Sequence, residues 1–138
     1  TIDMDYGEQV LWPDHCVQGS EGAAFHPDLN TEPVQLIVRK GFRKDIDSYS
    51  AFFENDHETV TGLHGYLQAR NIDELVITGL ATDFCVKWTA LDARKLGYKV
   101  TLVKDAIQGI DMHGSVDAAL NEMREAGVEF KKSEEILD

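Results

Sequence analysis

From Val34 onward, short apolar runs alternate with stretches whose apolar residues recur every three or four positions. Val34-Gln35-Leu36-Ile37-Val38 is rich in β-branched residues and is predicted to be a strand buried on both faces. Val60, Leu63, His64 and Leu67 keep helical spacing and predict a helix from about Thr59 to Arg70. Leu75-Val76-Ile77-Thr78-Gly79 predicts a second buried strand, and residues 83–96 a helix that Gly97 ends. A third strand is expected over Val100–Val103. Ser115 is the expected N-cap of a helix that runs through Leu120 and Met123 and stops at Gly127, before a last strand from Val128 to Lys131. Residues 1–33 hold all three prolines and no sustained period, so they read as a long irregular loop region. Residues 41–57 are again irregular, and aromatic. Strands alternating with helices imply βαβ crossovers and a parallel sheet with helices on both faces; the fold class is α/β.

Length bounds this picture. At 138 residues the chain fits a single domain, against a prior of roughly 100 to 200 residues per domain. Its 43% hydrophobic and 28% charged residues are those of a globular protein, and no apolar run is long enough to cross a bilayer. A formal net charge of -12 opposes binding to a phosphate backbone, so neither nucleic acid nor membrane is an expected partner. The two cysteines, Cys16 and Cys85, have neither CxxC spacing nor the number for a disulfide framework, which fits a reducing cytoplasm. Thr1 to Gln9 carries Asp3, Asp5 and Glu8 and does not read as a secretory signal.

Ligands of open α/β sheets bind at the carboxyl ends of strands, which directs attention to the residues after Val38 and after Thr78. The first place holds Arg39-Lys40-Gly41, the second Gly79-Leu80-Ala81-Thr82-Asp83-Phe84-Cys85. A thiol near a helix start faces unpaired N–H groups and the positive end of the macrodipole, which favour thiolate, as does a nearby ammonium. The same N–H groups can hold the oxyanion of a tetrahedral intermediate. By position alone, a small buried apolar cysteine is the blander reading of Cys85, and core filler that of Cys16. In Trp12-Pro13-Asp14-His15-Cys16-Val17, His15 reads equally as a structural hydrogen-bonding residue or as a ligand. For Trp12, Tyr49, Phe52 and Phe53 core packing is the default, and an aromatic substrate platform the second reading.

Four segments then occur in order: Trp12-Pro13-Asp14-His15-Cys16-Val17, Arg39-Lys40-Gly41, Asp47-Ser48-Tyr49-Ser50-Ala51-Phe52-Phe53 and Gly79-Leu80-Ala81-Thr82-Asp83-Phe84-Cys85-Val86. Together they resemble the bacterial nicotinamidases, within the isochorismatase-like cysteine hydrolases. The resemblance implies a Rossmann-like three-layer α/β/α fold and hydrolysis of nicotinamide to nicotinate and ammonia through a cysteine thioester, in NAD salvage, with activity on pyrazinamide as well. It implies Cys85 as the nucleophile, Lys40 as the cation that helps activate it, and the Ala81 and Cys85 backbone N–H groups as the oxyanion hole. The Leu80–Ala81 peptide would be cis. Trp12 and Tyr49 would form the wall against which a pyridine ring stacks, and His15 would be a ligand of one divalent metal ion, zinc, iron or manganese.

The family's general acid-base aspartate and two further metal ligands, in an Asp-x-His motif, are expected from a segment upstream of Thr1, together with central strands of the sheet. None of Asp3, Asp5, Asp14 and Asp83 follows an apolar strand as that aspartate does. The chain is thus expected to be the C-terminal part of an isochorismatase-like hydrolase domain, inactive by itself, and its uncovered strand edge leaves a homo-oligomer open. Two alternatives stand beside this reading. One is another hydrolase of the superfamily, acting on a vinyl ether or an N-carbamoyl amide; the other is an inactive binding module of the same fold.

Overall fold

A computed structural model describes residues 1–136, and its contacts divide the chain into two compact units, residues 1–37 and 38–138. In the first unit, strands β1 (Ile2–Met4) and β2 (Gly7–Gln9) form an antiparallel hairpin that pairs Ile2 with Gln9 and Met4 with Gly7. Gly7 closes the tight turn at φ 121°, a backbone conformation that a side chain would strain. The hairpin corrects the expectation of an irregular segment, since three-residue strands are too short for alternation to register. Beyond it come a short 3₁₀ turn, Glu21–Ala23, and local bonds such as Ser20 N–H to the Val17 carbonyl at 3.0 Å.

Val34–Val38 does not form the predicted strand, and Val34, Leu36 and Ile37 are exposed. An apolar run becomes a strand only when a neighbour completes its hydrogen-bond ladder, and among the described residues none pairs with this one.

The second unit holds helix α1 (Leu63–Ala69), strand β3 (Glu74–Leu80), helix α2 (Lys87–Lys95), strand β4 (Lys99–Gln108), helix α3 (Ser115–Glu125) and strand β5 (Glu129–Lys131). The strands lie in the order β3-β4-β5, both pairings parallel, with a helix in each connection. This is the α/β class read from the sequence.

Helix α1 starts four residues later than predicted. Phe53 and Val60 instead form an antiparallel bridge, with Glu54 N–H on the Thr59 carbonyl at 2.9 Å and Thr61 N–H on the Phe52 carbonyl at 3.0 Å, and Gly62 turns the chain at φ 95°. Strand β4 outruns its predicted span by five residues at the carboxyl end. Its register against β3 shifts between Ile77, opposite Leu102, and Gly79, opposite Ile107, which accommodates the excess as a bulge.

Leu75 and Ile77 of β3 pair with Val100 and Leu102 of β4, so their side chains share one face. On that face the core collects Phe52, Leu67, Val86, Ala90, Ala93, Val100, Leu102, Ala119 and Met123. Phe52 stacks on Tyr98, ring centres 5.8 Å apart, which ties the aromatic loop before α1 into the centre of the unit. The alternate positions of β3, including Val76 and Leu80, are 58% and 71% exposed, and among the described residues β3 has a strand on one side only.

Candidate active site

At the carboxyl end of β3 the chain passes through a cis peptide between Leu80 and Ala81 and enters a wide helical turn, Thr82–Val86, continuous with α2. Cys85 lies in this turn, half-buried and free of any disulfide. The Ala81 carbonyl accepts from the N–H groups of Phe84 at 3.1 Å and Val86 at 3.0 Å, so the chain wraps tightly around the position of the thiol. This geometry corrects the core-filler alternative for Cys85: the residue stands at a strand-to-helix turn and is not sealed inside.

Lys40 and Tyr49 belong to the same unit. The Lys40 ammonium donates to the Tyr49 carbonyl, and the Tyr49 ring meets Phe84 edge-on with ring centres 5.6 Å apart and planes at 68°. Phe84 precedes Cys85, so cation, ring and thiol-bearing turn are linked through adjoining groups. The Tyr49 backbone is fixed in turn by Asn55, whose side-chain oxygen accepts the Tyr49 N–H at 2.9 Å.

Two residues passed over in the sequence hold this turn. Asp83, 3% exposed, accepts from the Ser115 hydroxyl at 2.6 Å and from the N–H groups of Asp111 at 2.9 Å and Ile110 at 3.1 Å. Burial by itself would raise its pKa; the Ser115 hydroxyl and the Ile110 and Asp111 amides outweigh it and hold the carboxyl below its ordinary value. Ser115 is therefore not the predicted N-cap. It is the first residue of α3, its hydroxyl turned to Asp83, and Gly114 at φ 85° takes the position before it.

Thr89, one helical turn after Cys85, donates its hydroxyl to the Cys85 carbonyl at 2.7 Å and accepts the Ala51 N–H at 2.9 Å. The available signals were modest: Asp83 is the one carboxylate between the strand Leu75–Gly79 and Cys85, and Thr89 stands four residues from the thiol.

Gly109 packs against the Asp83 anchor. A Cβ there would lie 2.2 Å from Val116 Cγ2 and 3.3 Å from Asp83 Oδ1, and a branched side chain has little freedom to yield. Gly109→Ala is expected to cost about 2 kcal/mol of stability. Its check is the urea midpoint, which must fall with the slope of the transition unchanged.

Trp12 and His15 lie in the first unit, Trp12 half-buried and His15 exposed. His15 Nδ1 is 2.7 Å from the Pro13 carbonyl. A carbonyl only accepts, so Nδ1 is the donor, which in the neutral ring leaves the lone pair on Nε2, the arrangement a metal-ligating imidazole takes. The rest of a metal site is not assembled here: among the described residues no three His, Cys, Asp or Glu side chains come together, and one imidazole cannot hold a divalent ion. An Asp-x-His spacing, expected only upstream of Thr1, does occur within the chain at Asp111-Met112-His113, which corrects that expectation; all three residues are exposed, and the Asp111 N–H serves Asp83. Cys16 is exposed at φ 47°, which corrects its reading as core filler.

A groove at the amino ends of the strands is lined by Glu74, Lys99, Glu129 and Lys131 among others. Its charges pair with one another, Lys99 with Glu74 at 2.6 Å and Lys131 with Glu129 at 3.5 Å, and it holds none of the predicted site residues. Among the described residues no helix is long and apolar enough to cross a membrane.

Known proteins resemble this chain in sequence and fold. Among curated relatives, the nicotinamidase of Acinetobacter baylyi is 54% identical over 137 residues, which cover 99% of this chain and 64% of that protein. A solved nicotinamidase/pyrazinamidase of Acinetobacter baumanii superposes with a TM-score of 0.95 at 56% identity, over 98% of this chain and 65% of that one. PnC1 of L. infantum, solved in complex with nicotinate, gives 0.86 at 43% identity over 90% and 62%. The Pyrococcus horikoshii pyrazinamidase, solved in complex with zinc, gives 0.75 at 35% over 88% and 63%. The chain thus spans somewhat less than two thirds of the relatives it matches. The isochorismatase domain model matches residues 3–135, through both compact units, and the chain belongs to the isochorismatase family.

Proposed function

We propose that this chain carries the nucleophile and part of the substrate wall of a nicotinamidase, hydrolysing nicotinamide to nicotinate and ammonia, and pyrazinamide likewise. The observation that carries the reading is the turn after β3, where Cys85 lies half-buried and free at the carboxyl end of a parallel strand, in the turn that opens α2. The 54% identity to a nicotinamidase over almost the whole chain supports it.

The Cys85 thiolate attacks the carboxamide carbon, forming a C–S bond as the carbonyl pair moves to oxygen, where the Ala81 and Cys85 N–H groups receive it. The oxyanion pair then returns to carbon, the C–N bond breaks, and the nitrogen, having taken the proton the Cys85 thiol gave up, leaves as ammonia; no described residue is assigned to carry that proton. Water then adds to the thioester, and nicotinate departs as the thiolate is restored. Lys40 supplies positive charge and fixes the Tyr49 carbonyl; the Tyr49 ring, braced by Phe84, is assigned to face the pyridine, and Trp12 keeps the substrate-binding role that the resemblance implies.

A divalent ion, zinc, iron or manganese, is assigned as the cofactor, with His15 Nε2 as one ligand, and supplies a polarising charge when bound. The described residues do not complete its coordination, and no step above passes through it. Both units are assigned to one hydrolase domain, since the matched region runs through them. Two free cysteines and small-molecule chemistry fit the cytoplasm.

The test is ammonia release by the intact gene product, offered nicotinamide, pyrazinamide, an N-carbamoyl amide and a vinyl ether in parallel. Turnover of nicotinamide above the other classes is expected. Turnover of only the carbamoyl amide or the ether would move the protein elsewhere in the superfamily.

A further inference from the structure

The loop that carries Tyr49 and the turn that carries Cys85 are far apart in sequence, and one side chain joins their backbones. A threonine bonding back to the carbonyl four residues earlier is ordinary in helices, and by itself the bond from Thr89 to Cys85 would mean little. Here the same hydroxyl also accepts the N–H of Ala51, 38 positions away in sequence. The opposite side of that residue is held too, because the Thr61 hydroxyl donates to the Ala51 carbonyl at 2.6 Å. Ala51 is thus clamped between two threonines, one belonging to its own loop and one to the nucleophile's helix. Near this point the loop also makes local bonds, Ser48 N–H to Asp47 at 2.7 Å, Phe52 N–H to Ser50 at 3.1 Å and Tyr49 N–H to Asn55 at 2.9 Å, and its Tyr49 and Phe52 rings meet Phe84 and Tyr98.

We propose that Thr89 is a positioning residue, which sets the distance between the Tyr49 wall and the Cys85 nucleophile by bridging the Ala51 amide to the Cys85 carbonyl. The inference rests on the reading of Cys85 as nucleophile and Tyr49 as substrate wall. Thr89 touches no substrate in this account and acts through the two peptides it joins. A hydroxyl is required there because a single oxygen must donate to one backbone and accept from the other, a combination that serine reproduces and alanine does not.

The test compares Thr89→Ala and Thr89→Ser in the intact gene product, with rates normalised to Cys85 titrated by iodoacetamide. Alanine favours the helix, so loss of folding is not the expected result of the first variant. Because misplacement of a binding group by a fraction of an ångström is felt strongly, Thr89→Ala is expected to raise KM for nicotinamide about 10-fold and to lower kcat/KM about 30-fold. Thr89→Ser should stay within about 3-fold of the unsubstituted protein, since it keeps both hydrogen bonds.

A merely structural residue would reduce the active fraction and leave KM where it was. Hydrogen exchange reads the bridge independently of turnover: the Ala51 amide should lose protection in Thr89→Ala and keep it in Thr89→Ser. An unchanged KM in Thr89→Ala, or failure of serine to restore it, overturns the inference. If the unsubstituted protein releases no ammonia while the Ala51 amide behaves as expected, the nicotinamidase reading has failed and the bridge is structural only.

Discussion

Cys85→Ala is expected to abolish ammonia release from nicotinamide, a loss of at least about 10,000-fold in kcat, as for nucleophiles that form the covalent intermediate. The covalent step has no substitute, because alanine offers no lone pair for the carboxamide carbon. Binding should survive. The Tyr49 and Phe84 rings and the proposed oxyanion donors, the Ala81 and Cys85 backbone N–H groups, are not removed by the substitution. KD for nicotinate, measured by calorimetry on both proteins, should therefore stay within about 3-fold on substitution. Stability should change little, since the side chain is half-buried at a turn and lies outside the packed cluster around Met123 and Leu102. Residual turnover above about one part in a hundred would place the nucleophile elsewhere.

Asp83→Ala is expected to be the most damaging single change to folding among the site's polar residues. Its carboxylate gathers two amides and a hydroxyl where water does not reach, and their removal leaves the Ile110 and Asp111 N–H groups without an acceptor. Hydrogen bonds to a charged group and the desolvation of the orphaned donors place the cost at about 3 kcal/mol. A chain of this size should lose about 10 °C in Tm.

The sign of the pH dependence follows from the direction of the shift. The folded pKa is held below the unfolded one, so the carboxylate's contribution is complete above the ordinary aspartate range and disappears as pH falls through the lower, folded value. The gap in Tm between the unsubstituted protein and Asp83→Ala should thus be full at pH 7 and narrow toward pH 2. A gap constant over that range would mean that packing, and not the charge, makes Asp83 important.

What could be read from the chain beforehand follows the range of the forces involved. The β3, α2, β4, α3 and β5 segments announce themselves through period and length, because each buries one face against its neighbours in sequence. The Cys85 turn is legible for the same reason: strand, glycine, polar pair and helix are contiguous. Val34–Val38 misled because composition records that a segment is apolar and not whether a partner ladder stands beside it. Ser115 misled because a hydroxyl before a helix has two uses, capping its own amides or answering a buried carboxylate. The Thr89 bridge could not be read at all, since nothing local in Ala51 or Thr89 marks them as partners. Only the closure of the loop brings them together.

The one-sided pairing of β3 among the described residues bears on how this chain, taken by itself, behaves in concentrated solution. Among the described residues, Val76 and Leu80 stand outward along a strand paired on one side only, and in this chain taken by itself that edge is a surface from which sheets of different molecules grow together. Opposing this is a net charge of -12, which keeps molecules apart at neutral pH and low salt. The repulsion reaches only about 8 Å at physiological ionic strength. Colloidal behaviour is then a contest between a short-range adhesive edge and a screened long-range charge, and acidification or added salt tips it toward the precipitate.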